Sequence, residues 1–297
     1  MYAGVDSYSY HRFLGTLRQG EPPVAVSWSD GVGDVVAEAQ RLGVGAVSLQ
    51  TCFIGRAGRG VEAAIAQARE QLEVVLAWGA PEGIVYGTDR PAVDDLLEWI
   101  GLAGRTGVEL VRVVLGGPRQ RGMARSHAKP AIEALVTAAA FAREQGVRVA
   151  VENHGDITAA DLFSLIERVG ADNLGVCFDT ANTLRVGDDP ELAAEVLGMH
   201  VSVIHLKDIE DPANEHSAVS GPCSVPYGTG VLPLARMLDT ASAAGFSGPI
   251  CIELGQLERD ADERALVRSG LDWLSGFLAD REANEPGTPL GPRRTRG

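Results

Sequence analysis

Residues 147–179, VRVAVENHGDITAADLFSLIERVGADNLGVCFD, hold a complete strand–helix–strand unit. VRVAVE (147–152) and LGVCFD (174–179) are short, near-continuous apolar runs rich in Val, as expected of strands buried on both faces. Between them DLFSLIERVG (161–170) carries helical spacing and closes on Gly. A helix between two strands is the connection that parallel pairing requires, so this unit predicts a parallel sheet.

The same unit recurs in both directions. Downstream, VSVIHL (201–206) precedes LPLARMLDTASAAG (232–245), and GPICIE (248–253) precedes ADERALVRSGLDWLSGFLA (261–279). Upstream, AGVDSY (3–8), VGAVSLQ (44–50), EVVLAWG (73–79) and VELVRVVLGG (108–117) each lead to a helix-like segment. In PAVDDLLEWIGLAG (91–104), Leu96, Leu97 and Ile100 fall on one side, with Asp89 placed to cap and Pro91 suited to the first turn. Eight such pairs without interruption predict an α/β fold of one domain, a closed (βα)₈ TIM barrel over 1–281. A doubly wound open sheet is the alternative, but no Gly-rich fingerprint follows the first strand. The tail EANEPGTPLGPRRTRG (282–297) is rich in Pro, Gly and Arg and is expected to be disordered.

Composition narrows the function classes. A net charge of −14 opposes binding to a nucleic-acid backbone, which rests on clustered cations. No apolar stretch approaches the ~20 residues needed to span a bilayer, and MYAGVDSYSY lacks the basic and apolar regions of a signal peptide. Cys52, Cys177, Cys223 and Cys251 form no CxxC pair, so a reducing cytoplasm is the expected setting. Only two of the 26 basic residues, Lys129 and Lys207, are lysines.

Four of the strand runs carry a metal-binding residue type at their C-terminal edge: Glu152, Asp179, His205 and Glu253. In a parallel barrel all strand C-termini lie on one face, the face that carries chemistry. Three carboxylates and an imidazole converging there predict a mixed oxygen and nitrogen site for one divalent metal. Residues two apart on a strand share a face, which adds His154 after Glu152 and Lys207 after His205. Asn182 lies one step beyond Asp179.

VENH (151–154), FDTAN (178–182), IHLKD (204–208), VPYGTGVLPL (225–234) and IE (252–253) resemble the xylose-isomerase-like, or sugar phosphate isomerase/epimerase, superfamily. The resemblance spans most of the barrel and is sharpest over 147–255. It implies one Mn²⁺, Co²⁺, Zn²⁺ or Mg²⁺, Mn²⁺ foremost, held by Glu152, Asp179, His205 and Glu253. In the ketose epimerases of that superfamily the two glutamates also exchange a proton with substrate from opposite sides. Where the family often has D-T-x-H this chain has DTAN, so Asn182 replaces a histidine and is expected to meet substrate. Endonucleases of the same superfamily hold three zinc ions and need histidines after earlier strands. This chain has six histidines, none at the end of its second, third or fourth strand run.

GRAGRG (55–60) lacks the GK[ST] ending of a phosphate loop and reads as a flexible loop of the active face. GGPRQRGMARSHAK (116–129) gathers Arg119, Arg121, Arg125 and Lys129, as a solvated lid or a contact for a substrate carboxylate or phosphate. His11 and Trp28 are substrate-side candidates, with Tyr8 and Tyr10 near the first strand; core packing is the default for Trp78. His127, His200 and His216 have no constellation around them.

The resulting expectation is a metal-dependent isomerase or epimerase acting on a keto-sugar or polyol. Glu152 or Glu253 would remove a proton beside a carbonyl, with His154 and Lys207 stabilising oxyanions or relaying protons. The alternatives are a lyase of the same superfamily, either an inosose dehydratase or a C-glycoside deglycosidase subunit acting on 3-oxo-glycosides, and a non-catalytic sugar-binding barrel. The expected partner is a small carbohydrate, with neither nucleic acid nor membrane; a homo-oligomer or a small second subunit is the assembly to test.

Overall fold

Strand alternation organises the molecule. The computed structural model describes residues 1–17, 24, 28–54, 59–80, 82–212 and 222–284. Among the described residues, eight parallel strands close in chain order: β1 (Tyr2–Asp6), β2 (Ala46–Gln50), β3 (Glu73–Ala77), β4 (Leu110–Val114), β5 (Arg148–Glu152), β6 (Leu174–Asp179), β7 (Val201–Leu206) and β8 (Pro249–Ile252). β8 pairs with β1 from Tyr2↔Pro249 to Val5↔Ile252, which completes the ring. The expected TIM barrel is the observed fold.

Helices α1 (Gly31–Leu42), α3 (Arg59–Arg69), α4 (Arg90–Thr106), α5 (Ala128–Glu144), α6 (Ala159–Val169), α8 (Pro190–Leu197), α9 (Leu234–Ala243) and α10 (Glu263–Asn284) return the chain between strands or follow the last one. Two short helices, α2 (Thr51–Ile54) and α7 (Asn182–Val186), come directly after β2 and β6. Asp89 caps α4 as expected, accepting the Ala92 amide. Helix α10 continues to Asn284, past the 281 boundary read from the sequence. The rest of the tail, residues 55–58 of the GRAGRG loop and His216 lie outside the described residues. No described helix is long and apolar enough to cross a membrane.

Two apolar layers result. Outward strand residues such as Val149, Val151 and Ile204 pack under the helices in the main core. Inward residues Val75, Leu110, Ala150, Cys177, Val203 and Cys251 form a separate buried cluster inside the ring. Each fully buried aliphatic side chain contributes about 1.5–3 kcal/mol. The inner cluster plugs the barrel, so whatever stands above it on the same strand faces is lifted to the C-terminal rim.

Candidate functional site

Two residues beyond the inner plug, the side chains change character. Leu110 is followed on its face by Arg112, Ala150 by Glu152, Cys177 by Asp179, Val203 by His205 and Cys251 by Glu253. Asp6, the last residue of β1, joins them. Asp6, Asp179 and His205 are fully buried, and Arg112, Glu152 and Glu253 nearly so. The structure therefore gathers the four expected metal-binding residues on one floor and adds two that the sequence reading missed.

The floor is a charge lattice. Arg112 Nε lies 2.8 Å from Glu152 Oε2, while its terminal nitrogens donate to Trp78 O (2.8 Å) and Gln50 Oε1 (3.0 Å). Lys207 Nζ stands between Asp179 Oδ2 (2.6 Å) and Glu253 Oε1 (3.0 Å). His205 Nδ1 is 2.7 Å from Glu253 Oε2 and 3.7 Å from Glu152 Oε2; its Nε2 is 3.5 Å from Asp6 Oδ2. Asn182 Nδ2 donates to Glu152 Oε1 at 3.2 Å. Burial raises both glutamates, but the neighbouring cations outweigh it: Arg112 holds Glu152 below the usual carboxylate range, and Lys207 with His205 holds Glu253 well below it. Asp6 and Asp179 move the other way, raised chiefly by burial.

The motif residues between these groups tie the strand ends together. Asn153 donates to Asp179 O (2.9 Å) and accepts from Asp179 N (2.7 Å). Thr180 Oγ1 donates to Lys207 O (2.8 Å) and accepts from Lys207 N (2.9 Å). Asp208 accepts from the amides of Gly228 (2.8 Å) and Gly230 (3.0 Å), which fixes the PYGTG loop. Position 230 must be glycine, because a Cβ there would lie 2.0 Å from Asp208 Oδ1. Along VENH, DTAN and HLKD, alternate residues thus build the floor and clamp the neighbouring strand.

Above the floor is a cavity of about 410 Å³, whose wall includes Glu152, Glu253, Lys207, His154 and Asn182. His154 Nδ1 lies 3.2 Å from Gly116 O. A carbonyl oxygen only accepts, so Nδ1 carries the proton and Nε2 keeps its lone pair. Burial lowers the proton affinity of the ring. Two of the three substrate-side candidates lie elsewhere. His11 is buried behind Tyr8, stacked on it at 5.3 Å, and Tyr8 itself lines the cavity. Trp28 packs on Tyr10 (5.0 Å) and Phe13 (5.3 Å), away from the cavity wall. Both belong to the aromatic packing behind the first loop, where apolar contact, not ligand access, sets their place. Trp78 is a core residue, its indole N–H donating to Asp95 at 2.6 Å.

The donor chemistry fits a divalent cation. Glu152 Oε2, Glu253 Oε2 and both His205 ring nitrogens are buried with no aligned hydrogen bond, although oppositely charged groups crowd them. Buried polar atoms normally find a partner. His205 is shared by two close donor sets, Asp6–His205–Glu253 and Glu152–Cys177–His205, each set within 4.8 Å. Asp179 belongs to neither set. Lys207 holds its Oδ2, and its Oδ1 accepts from the amides of Ala181 and Asn182, both at 3.0 Å.

Asp6 and Arg112 both left a trace in the sequence. Asp6 is the acidic residue of the first strand run, AGVDSY, and Arg112 is the one charge inside the apolar stretch LVRVVL (110–115).

Comparison with known proteins bears on the fold and family. A family model described as xylose isomerase-like TIM barrel matches residues 87–276. An uncharacterised protein, YihM of Escherichia coli strain K12, is 25% identical over 149 residues, which is 47% of this chain and 43% of that one. An L-ribulose 3-epimerase structure superposes with a TM-score of 0.71 at 19% identity, covering 98% of this chain and 99% of that one. The zinc-bound IOLI protein gives 0.72 at 15% identity over 94% and 99%. A structure described as the probable 3-DHS dehydratase AsbF of Bacillus anthracis gives 0.66 at 15% identity over 93% and 99%.

Proposed function

The chain belongs to the xylose isomerase-like TIM barrel family, and from that premise we propose that it is a metal-dependent enzyme that isomerises or epimerises a small keto-sugar or polyol. The observation that carries the reading is the set of unaligned donor atoms on Glu152, His205 and Glu253 beneath a cavity of sugar size. These three would hold the ion, with Asp179 as fourth ligand; Mn²⁺ is the first choice, and Co²⁺, Zn²⁺ and Mg²⁺ suit the same set. What a divalent ion contributes there is polarisation of a substrate carbonyl, which acidifies the adjacent C–H.

The chain's own groups then divide the work. Glu152 and Glu253 are kept ionised by Arg112, Lys207 and His205, so each can accept a proton from carbon. Lys207 is held in its charged form by Asp179 and Glu253 despite burial and would stabilise an enediolate oxygen. Asn182 orients Glu152 through its Oε1. His154 offers an unprotonated Nε2 at the cavity wall, a second base or relay that needs neither glutamate. That feature favours one further reading, a lyase in which His154 takes the proton and a leaving group departs from the next carbon.

Turnover in D₂O across a panel of ketoses, inososes and 3-oxo-glycosides tests both. Isomerisation or epimerisation is expected to give product of unchanged carbon skeleton carrying deuterium on carbon, and none without metal. A lyase would give a smaller or dehydrated product. An unlabelled product whose migrating hydrogen shows a primary isotope effect would mean a hydride shift and would remove the glutamate-base assignment.

A further inference from the structure

The cavity wall carries five charged side chains: Glu152, Glu253, Arg112, Lys207 and Arg185. Four of them are matched to one another on the floor. Arg185, in the last turn of α7, is not; among the described residues no carboxylate lies within ion-pair distance of it. It is exposed, yet it is not loose. Its aliphatic stem lies across Gly155, where a Cβ would sit 2.9 Å from Arg185 Cδ and 3.2 Å from its Cβ. Gly155 has φ +83°, so the chain folds back there with a bare Cα against the arginine, immediately after His154.

A second arginine rests on the same glycine. Of the cations in segment 116–129, Arg119 faces Glu82 (3.2 Å), Arg125 faces Asp161 (3.1 Å) and Lys129 faces Glu133 (3.9 Å). Arg121 instead donates from Nε to Gly155 O at 3.3 Å, a neutral partner, and no carboxylate among the described residues pairs with it. Two guanidiniums with no carboxylate partner among the described residues thus flank Gly155, the residue after the cavity-lining His154, in a chain of net charge −14. Arginine presents a planar fork that matches carboxylate and phosphate. Across the cavity Tyr8 and Phe53, stacked at 5.7 Å, offer an apolar wall instead. The cavity is therefore polarised, with its cationic side next to His154.

We propose that the substrate carries an oxyanion, a carboxylate or a phosphate, bound by Arg185 with Arg121 behind it, so that the reacting end lies over Glu152 and Glu253. The assignment of the reacting end rests on the proposed function above; the anion preference does not. D-fructose, D-fructuronate and D-fructose 6-phosphate, with the corresponding D-tagatose series, differ only in the group at C6 and are suitable probes. Calorimetric binding to the full-length Mn²⁺-loaded protein at about 50 mM salt, with and without Arg185→Gln, is the measurement. The expected result is that one anionic member binds at least tenfold more tightly than its neutral parent, and that Arg185→Gln removes the advantage without weakening the parent. Arg185→Lys should keep part of it, since it keeps the charge and loses the fork. Which anion wins separates carboxylate from phosphate. Equal binding of neutral and anionic members, no binding by any anion, or a preference that survives in a folded Arg185→Gln protein would overturn the proposal. Binding is scored without turnover, so loss of solvent exchange in the same samples would count against the deprotonation reading alone.

Discussion

Arg112 shows what a single residue does to this barrel. Its guanidinium and Glu152 are both buried, their side chains only 4% and 2% exposed. Removing one member of such a pair leaves a buried charge and costs about 3–5 kcal/mol. Arg112→Met should therefore lower the urea midpoint strongly, and adding Glu152→Gln should recover a large part of the loss. Equal destabilisation in the single and double variants would mean the pair is not coupled. Asp156 offers a test of opposite sign. It is 1% exposed, and neither carboxylate oxygen has an aligned partner. Burial pushes its pKa up to about 7. The unfolded chain releases that proton near pH ~3.9, so between these values the native state binds more protons than the unfolded one. Stability should then fall as pH rises from 4 to 7, by up to ~1.4 kcal/mol per pH unit from this group, and level off above. Asp156→Asn should flatten that slope in a series of urea melts at stepped pH; an unchanged slope would show that the carboxyl is ionised throughout.

At the scale of elements, Asp179 links a strand, a helix and a neighbouring strand. Its Oδ1 accepts two amides at the start of α7, and its Oδ2 meets Lys207 from the end of β7. Asparagine can keep the first role and loses the charge of the second; alanine loses both. Asp179→Ala should thus be less stable than Asp179→Asn by about 1–3 kcal/mol, the worth of hydrogen bonds to a fixed acceptor. Equal thermal midpoints for the two variants would show that the amide contacts contribute nothing.

At the scale of the whole molecule, the ring is closed by the β8–β1 ladder and by Arg12, whose buried guanidinium pairs with Glu263 of α10 and donates to Glu263 Oε2 at 2.6 Å. A ligand bound only by the closed ring stabilises it by mass action, by about 2.7 kcal/mol at a hundredfold excess over its Kd. Mn²⁺ is accordingly expected to raise the melting temperature of the wild-type protein by several degrees and to leave that of His205→Ala unmoved. An equal rise in both would place the ion elsewhere.

The order of strands and helices, the eightfold count and four of the floor residues were legible in the chain, because burial on both faces and strand alternation are local patterns of period two. VRVAVE and LGVCFD announce strands whose last residues share a face with Ala150 and Cys177 before them. The partners were not legible. Asp6 lies on β1, far in sequence from β5–β8, and meets His205 only because the ring closes through β8 and β1; Arg112 comes from β4 and reaches Glu152 across the β4–β5 ladder. The pairing of Lys207 with Asp179 and Glu253, the retreat of His11 and Trp28 into packing, and the setting of Arg185 on Gly155 depend on which side chains compete for the same buried space. The sequence by itself determined which residues reach the barrel's C-terminal face; only the tertiary structure decided which of them neutralise one another and which remain free to meet a ligand, since that follows from distances across the ring.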